Sequence, residues 1–323
     1  MYLSMVVFEE CLAEYHPRMT GHSDLIKIKF MGVQEAMEGQ EYLPDHMLLE
    51  HVEYFVSHPV PAAWGCLCIG EPPEDLFKNN ICLIFPENTD RTSLYHDIQK
   101  IFFLYNSWEM EIRKAMQRNA TLEEMCNLCI PIFEKPIFIH DRNNELLAIA
   151  NEMAGQFSWQ YDETFDKYYL PLEILNTFKS SDEYHKTLHT YGAHVFSAKA
   201  TGYRTLYVNL RIEWVYVGRV CLDEIGTPIR KRDYELLEFF ADNIALAMQQ
   251  GMLLVSDVSN VLSILFKEMI DGKSYTKNQL AKPFSYYKWH IDDMFQCITI
   301  FCRKSDNAIH TATNLTHRLA NMF

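Results

Sequence analysis

The sequence predicts a multidomain α+β protein: a small α/β module, then a five-stranded antiparallel sheet flanked by helices, with long connecting helices. Three observations carry this. Near the N-terminus, two continuous apolar strands bracket a short crossover, the pattern of a buried and partly parallel sheet. Further on, five strand-like runs read as a hairpin followed by a three-strand meander. Between and after these lie two long stretches with apolar residues at helical spacing.

Residues 1–90 hold the α/β module. "SMVVFEECLAEY" reads as a helix, "LIKIKF" and "MLLEH" as strands, and "WGCLCIG", "PPEDLF" and "NNICLIFPEN" as strand, short helix and strand. Residues 91–120 contain neither Pro nor Gly, and Leu94, Ile98, Ile101 and Tyr105 share one face, so this is a connecting helix. The unit at 121–250 opens at Thr121, with Glu124 placed for a capping box. "PIFIHD" and "ELLAIAN" form a hairpin about an Asn-containing turn, and "HVFSAKA", "TLYVNLRI" and "WVYVGRVCLDE" complete five strands. A helix opens near "TPIRKRDYELLEFF" and continues as a signalling helix over 234–271. In it Leu237, Phe240, Ile244, Ala247, Gly251, Leu254, Val258, Val261 and Leu265 alternate spacings of three and four, a heptad seam. Leu254, Val258, Val261 and Leu265 are the predicted seam of a parallel homodimer, with burial inside one chain as the competing reading. Residues 272–323 begin a further α/β unit.

Composition narrows the function. The 323 residues are 48% hydrophobic, which suits a packed globular chain. No apolar run reaches membrane-spanning length, and Glu9 and Glu10 interrupt any signal-peptide core, so a cytoplasmic protein without membrane contact is expected. Nine cysteines without a secretory signal read as reduced thiols. The net charge is −14; residues 251–323 hold eight Lys/Arg against six Asp/Glu, which leaves −16 on residues 1–250. That balance repels a nucleic-acid backbone.

Several motifs reduce to structure. Gly272-Lys273-Ser274 lacks the earlier glycine of a phosphate loop, since Lys267 stands there, and reads as a helix stop. Cys126 and Cys129 lie on an apolar helix without a second pair, and Cys66 and Cys68 share a strand face, so all four read as core thiols. His185, His189 and His194 have metal-ligand spacing, yet exposed histidines are the favoured reading. No cofactor and no metal site are predicted, and no catalytic residue is assigned.

"VLSILFKEMIDGKSYTKNQLAKPFSYYKWHIDDMFQCITIFCR" resembles the segment that opens the GGDEF-like middle domain of PucR/CdaR-type bacterial transcriptional regulators. Leu262, Leu265 and Gly272 match the first helix and its stop, Trp289 the turn, and Ile298 to Phe301 the strand. Upstream, the order of helix, two strands, variable cover, three strands and exit helix resembles a GAF/PAS-type sensory domain. The ending "VGRVCLDE…DYELLEFFADNIALAM" looks much like the last strand and exit helix of GAF domains. The resemblance implies a ligand-sensing and dimerising portion that responds to an unknown small-molecule effector. It also implies DNA binding through a C-terminal helix-turn-helix that this sequence lacks, since only the start of the middle domain precedes Phe323. A nucleotide cyclase is disfavoured because no "GGDEF" string occurs. A free-standing ligand-binding or scaffold protein is the alternative.

In a GAF/PAS-type topology the cover encloses the ligand, and here it is aromatic. Nine aromatic residues stand between Phe157 and Tyr191, about twice the 13% of the whole chain. Trp159, Tyr161, Tyr169 and Tyr191 are the predicted ligand-binding residues, with Phe138 and Tyr207 as the floor. The competing reading is that these rings are core.

The seam yields a first prediction. The chain sediments as a dimer at micromolar concentration, and Val258→Glu with Val261→Glu makes it a monomer by burying unpaired charge. A monomeric unaltered chain rejects the seam.

Overall fold

The computed structural model describes residues 1–21, 23–35, 41–58, 60–72, 78–163, 167–212, 215–249, 265–266, 269, 272, 274–285 and 289–290. The chain divides into two compact units, Met1–Asp257 and Val258–Phe323. The architecture is α+β, with two five-stranded sheets in the first unit.

The first sheet has the order β2 (Arg18–Gly21), β7 (Ile81–Phe85), β6 (Gly65–Ile69), β5 (His46–His51), β4 (Gly32–Glu35). β4 to β7 run parallel and β2 is an antiparallel edge. "GCLCI" and "ICLIF" are buried at every position because both faces are covered. Leu67, Ile69, Leu83 and Phe85 enter the main core, while Cys66, Cys68 and Cys82 pack with Phe55 of α2 (Val52–Ser57) on the other side. "LIKIKF" departs from expectation: Ser23–Lys27 is a 3-10 turn, and only β3 (Lys29–Phe30) is strand, paired with β1 (Leu3–Ser4). Leu25 and Ile26 are adjacent apolar residues, which breaks the period of two, and Ile28 N–H bonds back to Leu25 O at 3.0 Å. The expected helix "PPEDLF" falls largely on residues outside those described.

α1 (Met5–Cys11) and α3 (Arg91–Gln117) cover this sheet. Asp90 caps α3 by accepting from Ser93 N–H at 2.8 Å. Arg91 then pairs with Glu35 at 3.0 Å and Glu50 at 3.1 Å on β4 and β5. The face predicted from Leu94, Ile98, Ile101 and Tyr105 is buried, and extends through Trp108 and Ile112.

The second sheet follows α4 (Leu122–Asn127) and α5 (Ile130–Phe133). α4 starts in a capping box: Thr121 Oγ1 accepts from Glu124 N–H at 3.1 Å, and Glu124 Oε2 from Thr121 N–H at 3.2 Å. The sheet order is β12 (Ala193–Phe196), β13 (Thr205–Ile212), β14 (Val215–Asp223), β8 (Ile137–Asp141), β9 (Leu146–Ala150), antiparallel throughout. Alternation splits its residues. Ile137, Ile139, Leu206, Val208, Leu210, Val220 and Leu222 face a helical layer; Phe138, Phe196, Tyr207 and Cys221 face the opposite way.

The helical layer includes α8 (Lys231–Gln249), on which Leu237, Phe240, Ile244 and Ala247 are fully buried. The first half of the seam read from the sequence therefore packs inside the chain. Leu254, Val258 and Val261 lie outside the described residues, as do Leu262 and the strand at 298–301. Leu265, in the second unit, is 3% exposed and packs on Leu280 and Phe284 of α9 (Lys277–Ser285). Its side chain packs within that unit.

The start of α8 is held from two sides. Lys135 Nζ meets Asp233 Oδ2 at 2.9 Å with both side chains fully buried, and also donates to Phe133 O at 3.2 Å. Asp233 Oδ2 accepts from Arg230 N–H at 2.9 Å. Burial pulls the Lys135 ammonium below its ordinary pKa, and Asp233 opposes that. From α1, Glu10 accepts from Lys231 N–H at 2.8 Å and Arg232 N–H at 3.1 Å, so a carboxylate of the first module occupies the positive end of α8.

Lys135→Met should cost about 3–5 kcal/mol, because it strands Asp233 as a buried charge. Lys135→Met with Asp233→Leu should regain most of the loss. Urea unfolding of the cycle measures both; a single-variant cost below about 1 kcal/mol rejects the role given to the pair.

Candidate ligand-binding site

The free face of the second sheet is closed by residues 151–192. They contain a hairpin of β10 (Gln160–Asp162) and β11 (Lys167–Tyr169), then α6 (Leu172–Lys179) and α7 (Asp182–Thr187). Ser181 caps α7 by accepting from Tyr184 N–H at 3.3 Å, and Glu183 accepts from Ser197 N–H at 2.9 Å and Ser197 Oγ at 2.7 Å. Tyr184 stacks on Phe178 at 4.5 Å, and both pack on Phe196. The cover is thus a small core of its own, set on the sheet.

The sheet face beneath it is not uniformly apolar. One cross-strand row runs Tyr207, Cys221, Phe138; the next runs Asn209, Arg219, His140. Gly218 permits the close approach of β14 and β8 here, since a Cβ would lie 2.3 Å from His140 O. His140 and Arg219 are each only 4% exposed. His140 Nδ1 lies 2.7 Å from Asp141 O and so carries the proton of the neutral ring. Burial, then the neighbouring Arg219, lowers its pKa to about 3. Burial raises Asp141 and Asp223 to about 6. Asp223 accepts from Thr205 Oγ1 at 2.7 Å and Gln156 Nε2 at 3.0 Å.

The polar row also docks the cover. Asn209 Nδ2 donates to Thr187 O at 2.6 Å and Thr190 O at 3.1 Å, Arg211 Nη2 to Leu188 O at 2.6 Å, and Arg219 Nη2 to Thr187 Oγ1 at 3.0 Å. The last carbonyls of α7 thereby receive donors from β13, where a break in register between Leu210 and Arg211 re-aims the strand. Between sheet and cover lies a small, partly open cavity of about 40 Å³, walled by Phe138, His140, Phe157, Tyr184, Tyr207 and Arg219 among others.

Of the residues expected to bind ligand, Phe138 and Tyr207 form this floor. Trp159 packs on Phe138 at 5.4 Å, but it lines a separate open groove of about 380 Å³ with Leu146, Ile149, Phe157 and Tyr168. Tyr161 is half-exposed and packs on Tyr168 at 5.1 Å within the hairpin, beside the strand residue Tyr169. Tyr191 is 67% exposed beneath Arg211 at 4.8 Å, in a groove between β13 and α8. The four cover residues therefore do not converge on one cavity, because their short elements turn alternate rings outward. His140, Arg219, Phe157, Phe178 and Tyr184 stand where convergence was expected. His185, His189 and His194 are exposed.

No protein-family model matches the sequence, and neither does any curated protein. Among solved structures, it is similar to the cofactor-binding GAF domain of the nutrient sensor CodY from Clostridium difficile, at 12% identity and TM-score 0.32, over 45% of this chain and 97% of that one. It is similar to the phycoerythrobilin-bound GAF domain of a cyanobacterial phytochrome, at 9% identity and TM-score 0.34, over 45% and 94%. It is also similar to the nlh2 GAF domain of A. aeolicus, at 14% identity and TM-score 0.27, over 46% and 94%.

His140 makes stability depend on pH with a definite sign. Its pKa is about 3 folded and about 6.5 unfolded, so its contribution is complete above about pH 6.5 and is lost as pH falls toward 3. Asp141 and Asp223, raised in the fold, slope the other way between about pH 4 and 6. His140→Asn leaves both aspartates in place. The difference in urea midpoint between unaltered and variant chains should shrink as pH drops from 7 to 4; a constant difference rejects the neutral buried imidazole.

Proposed function

We propose that residues 121–250 are a small-molecule-sensing domain of GAF/PAS type, and that the chain is the sensory and dimerising portion of a PucR/CdaR-type transcriptional regulator. On this reading it has no catalysis of its own and acts in the cytoplasm as a homodimer. On the same reading, DNA contact belongs to a C-terminal helix-turn-helix. No described helix is long and apolar enough to cross a membrane. The single observation that carries the sensing function is the small cavity between sheet and cover, lined by the buried polar side chains His140 and Arg219 where packing alone would favour apolar ones.

The same strand supports a route for the signal. On β13, Tyr207 and Asn209 face the cover, whereas Leu206, Val208 and Leu210 face the layer that contains α8. A ligand that repositions α7 changes the hydrogen bonds of Asn209 and Arg211, and with them the seat of the exit helix. Ligand then acts by biasing α8 between two packings.

The test is native mass spectrometry and thermal unfolding of the 323-residue chain against a panel of neutral, cationic and anionic metabolites. A retained small molecule, or a saturable rise in Tm by at least one compound, is expected. No binding across the panel rejects the sensing reading.

A further inference from the structure

We propose that Arg219 is the anion-binding residue of a site for a small organic monocarboxylate, whose apolar body lies in the adjoining groove beyond Phe157. This rests on the sensing reading above and names the class of ligand.

A buried guanidinium is always charged, and a charge removed from water is costly unless something compensates it. Arg219 has no carboxylate partner among the described residues. Its neighbours are Thr187 Oγ1 and the rings of Tyr207 at 4.7 Å, Tyr184 at 5.5 Å and Tyr216 at 5.7 Å. Its Nε–H has no hydrogen-bond partner. The buried acids of the same sheet are engaged elsewhere, Asp223 with Thr205 and Gln156, and Asp141 with Asn143 and Glu145 N–H at 2.8 Å each. A cation with an unused donor, half caged by aromatic faces, therefore borders the cavity.

The cavity limits what enters. Its 40 Å³ exceeds the roughly 10–15 Å³ that admits one water, and suits a carboxylate group rather than a whole metabolite. Phe157 walls both this cavity and the 380 Å³ groove that Leu146, Ile149, Met153 and Trp159 line. The Phe157 ring holds its place by packing on Trp159 at 5.2 Å and Phe138 at 6.3 Å, so turning it aside breaks no polar bond. An acid with its head on Arg219 and its body along the groove joins the two spaces. Charge selects a monoanion: His140 is neutral and Arg219 is the one cation among the residues that line the cavity, so a phosphate dianion would keep one charge uncompensated there.

The experiment titrates the full chain by calorimetry and thermal unfolding with acetate, isovalerate, phenylacetate and indole-3-acetate, their neutral amides, and inorganic phosphate. At least one of the larger acids should bind saturably, and its amide about 30-fold or more weaker, the loss expected when one partner of a buried charged pair is removed. Arg219→Gln should weaken the acid by a similar factor and leave the amide unchanged, while Arg219→Lys retains part of the affinity. Equal affinity of acid and amide overturns the proposal, as does binding by Arg219→Gln equal to the unaltered chain. So does phosphate or acetate binding as tightly as the best larger acid, which would mean an anion site that ignores the groove. If Arg219→Gln does not fold, the comparison of acid with amide on the unaltered chain decides alone. Carboxylates ignored while another metabolite of the wider panel binds overturns this proposal and leaves sensing intact; a chain that binds neither these acids nor any compound of that panel overturns both.

Discussion

A lysine and an aspartate buried away from all solvent fix where the second sheet meets its helix. Neither Lys135 nor Asp233 has water to fall back on, so each depends on the other and on the backbone groups of Phe133 and Arg230. Such a pair adds little net stability over a well-packed apolar pair, but it tolerates only one arrangement. It sits where β8 is about to begin and α8 has just begun, and so sets the helix's starting point against the sheet. The burial of Leu237, Phe240 and Ile244 along α8 follows from that anchor.

The second sheet then works as a partition. Leu206, Val208, Val220 and Leu222 present a dry apolar face to the helices, and alternation gives the intervening positions Tyr207, Asn209, Arg219 and Cys221 to the cover. A ladder of backbone hydrogen bonds joins the two environments rigidly, so rearrangement on one side is felt as strand displacement on the other.

What could be read from the sequence was what local rules govern. The capping box at Thr121, the buried stripe of α3 and the apolar runs of β6 and β7 depend on neighbours a few residues away, and these elements stand where the pattern puts them. Short mixed strands such as Arg18–Gly21 and Gly32–Glu35 carry no period and exist only through their partners. The 3/4 spacing of Leu237 to Ala247 shows that one face is buried, and is silent on whether a sheet or a partner helix covers it. For the site, enrichment in rings located the cover but not the direction of Tyr161, which depends on the register of its hairpin, or of Tyr191, which depends on the segment that follows α7. The informative signal was an arginine inside "VGRVCLD", since alternation puts Arg219 on the same side as Cys221 and away from the helices.

Glu10 makes the two sheets something other than interchangeable cassettes. Its carboxylate reaches across from α1 to neutralise the first turn of α8. The second sheet excised at residue 121 would carry a helix whose opening amides had lost their anion. A chimera that grafts residues 121–250 onto a foreign output must supply a surrogate acid at that spot, or accept a frayed helix where its signal is meant to leave.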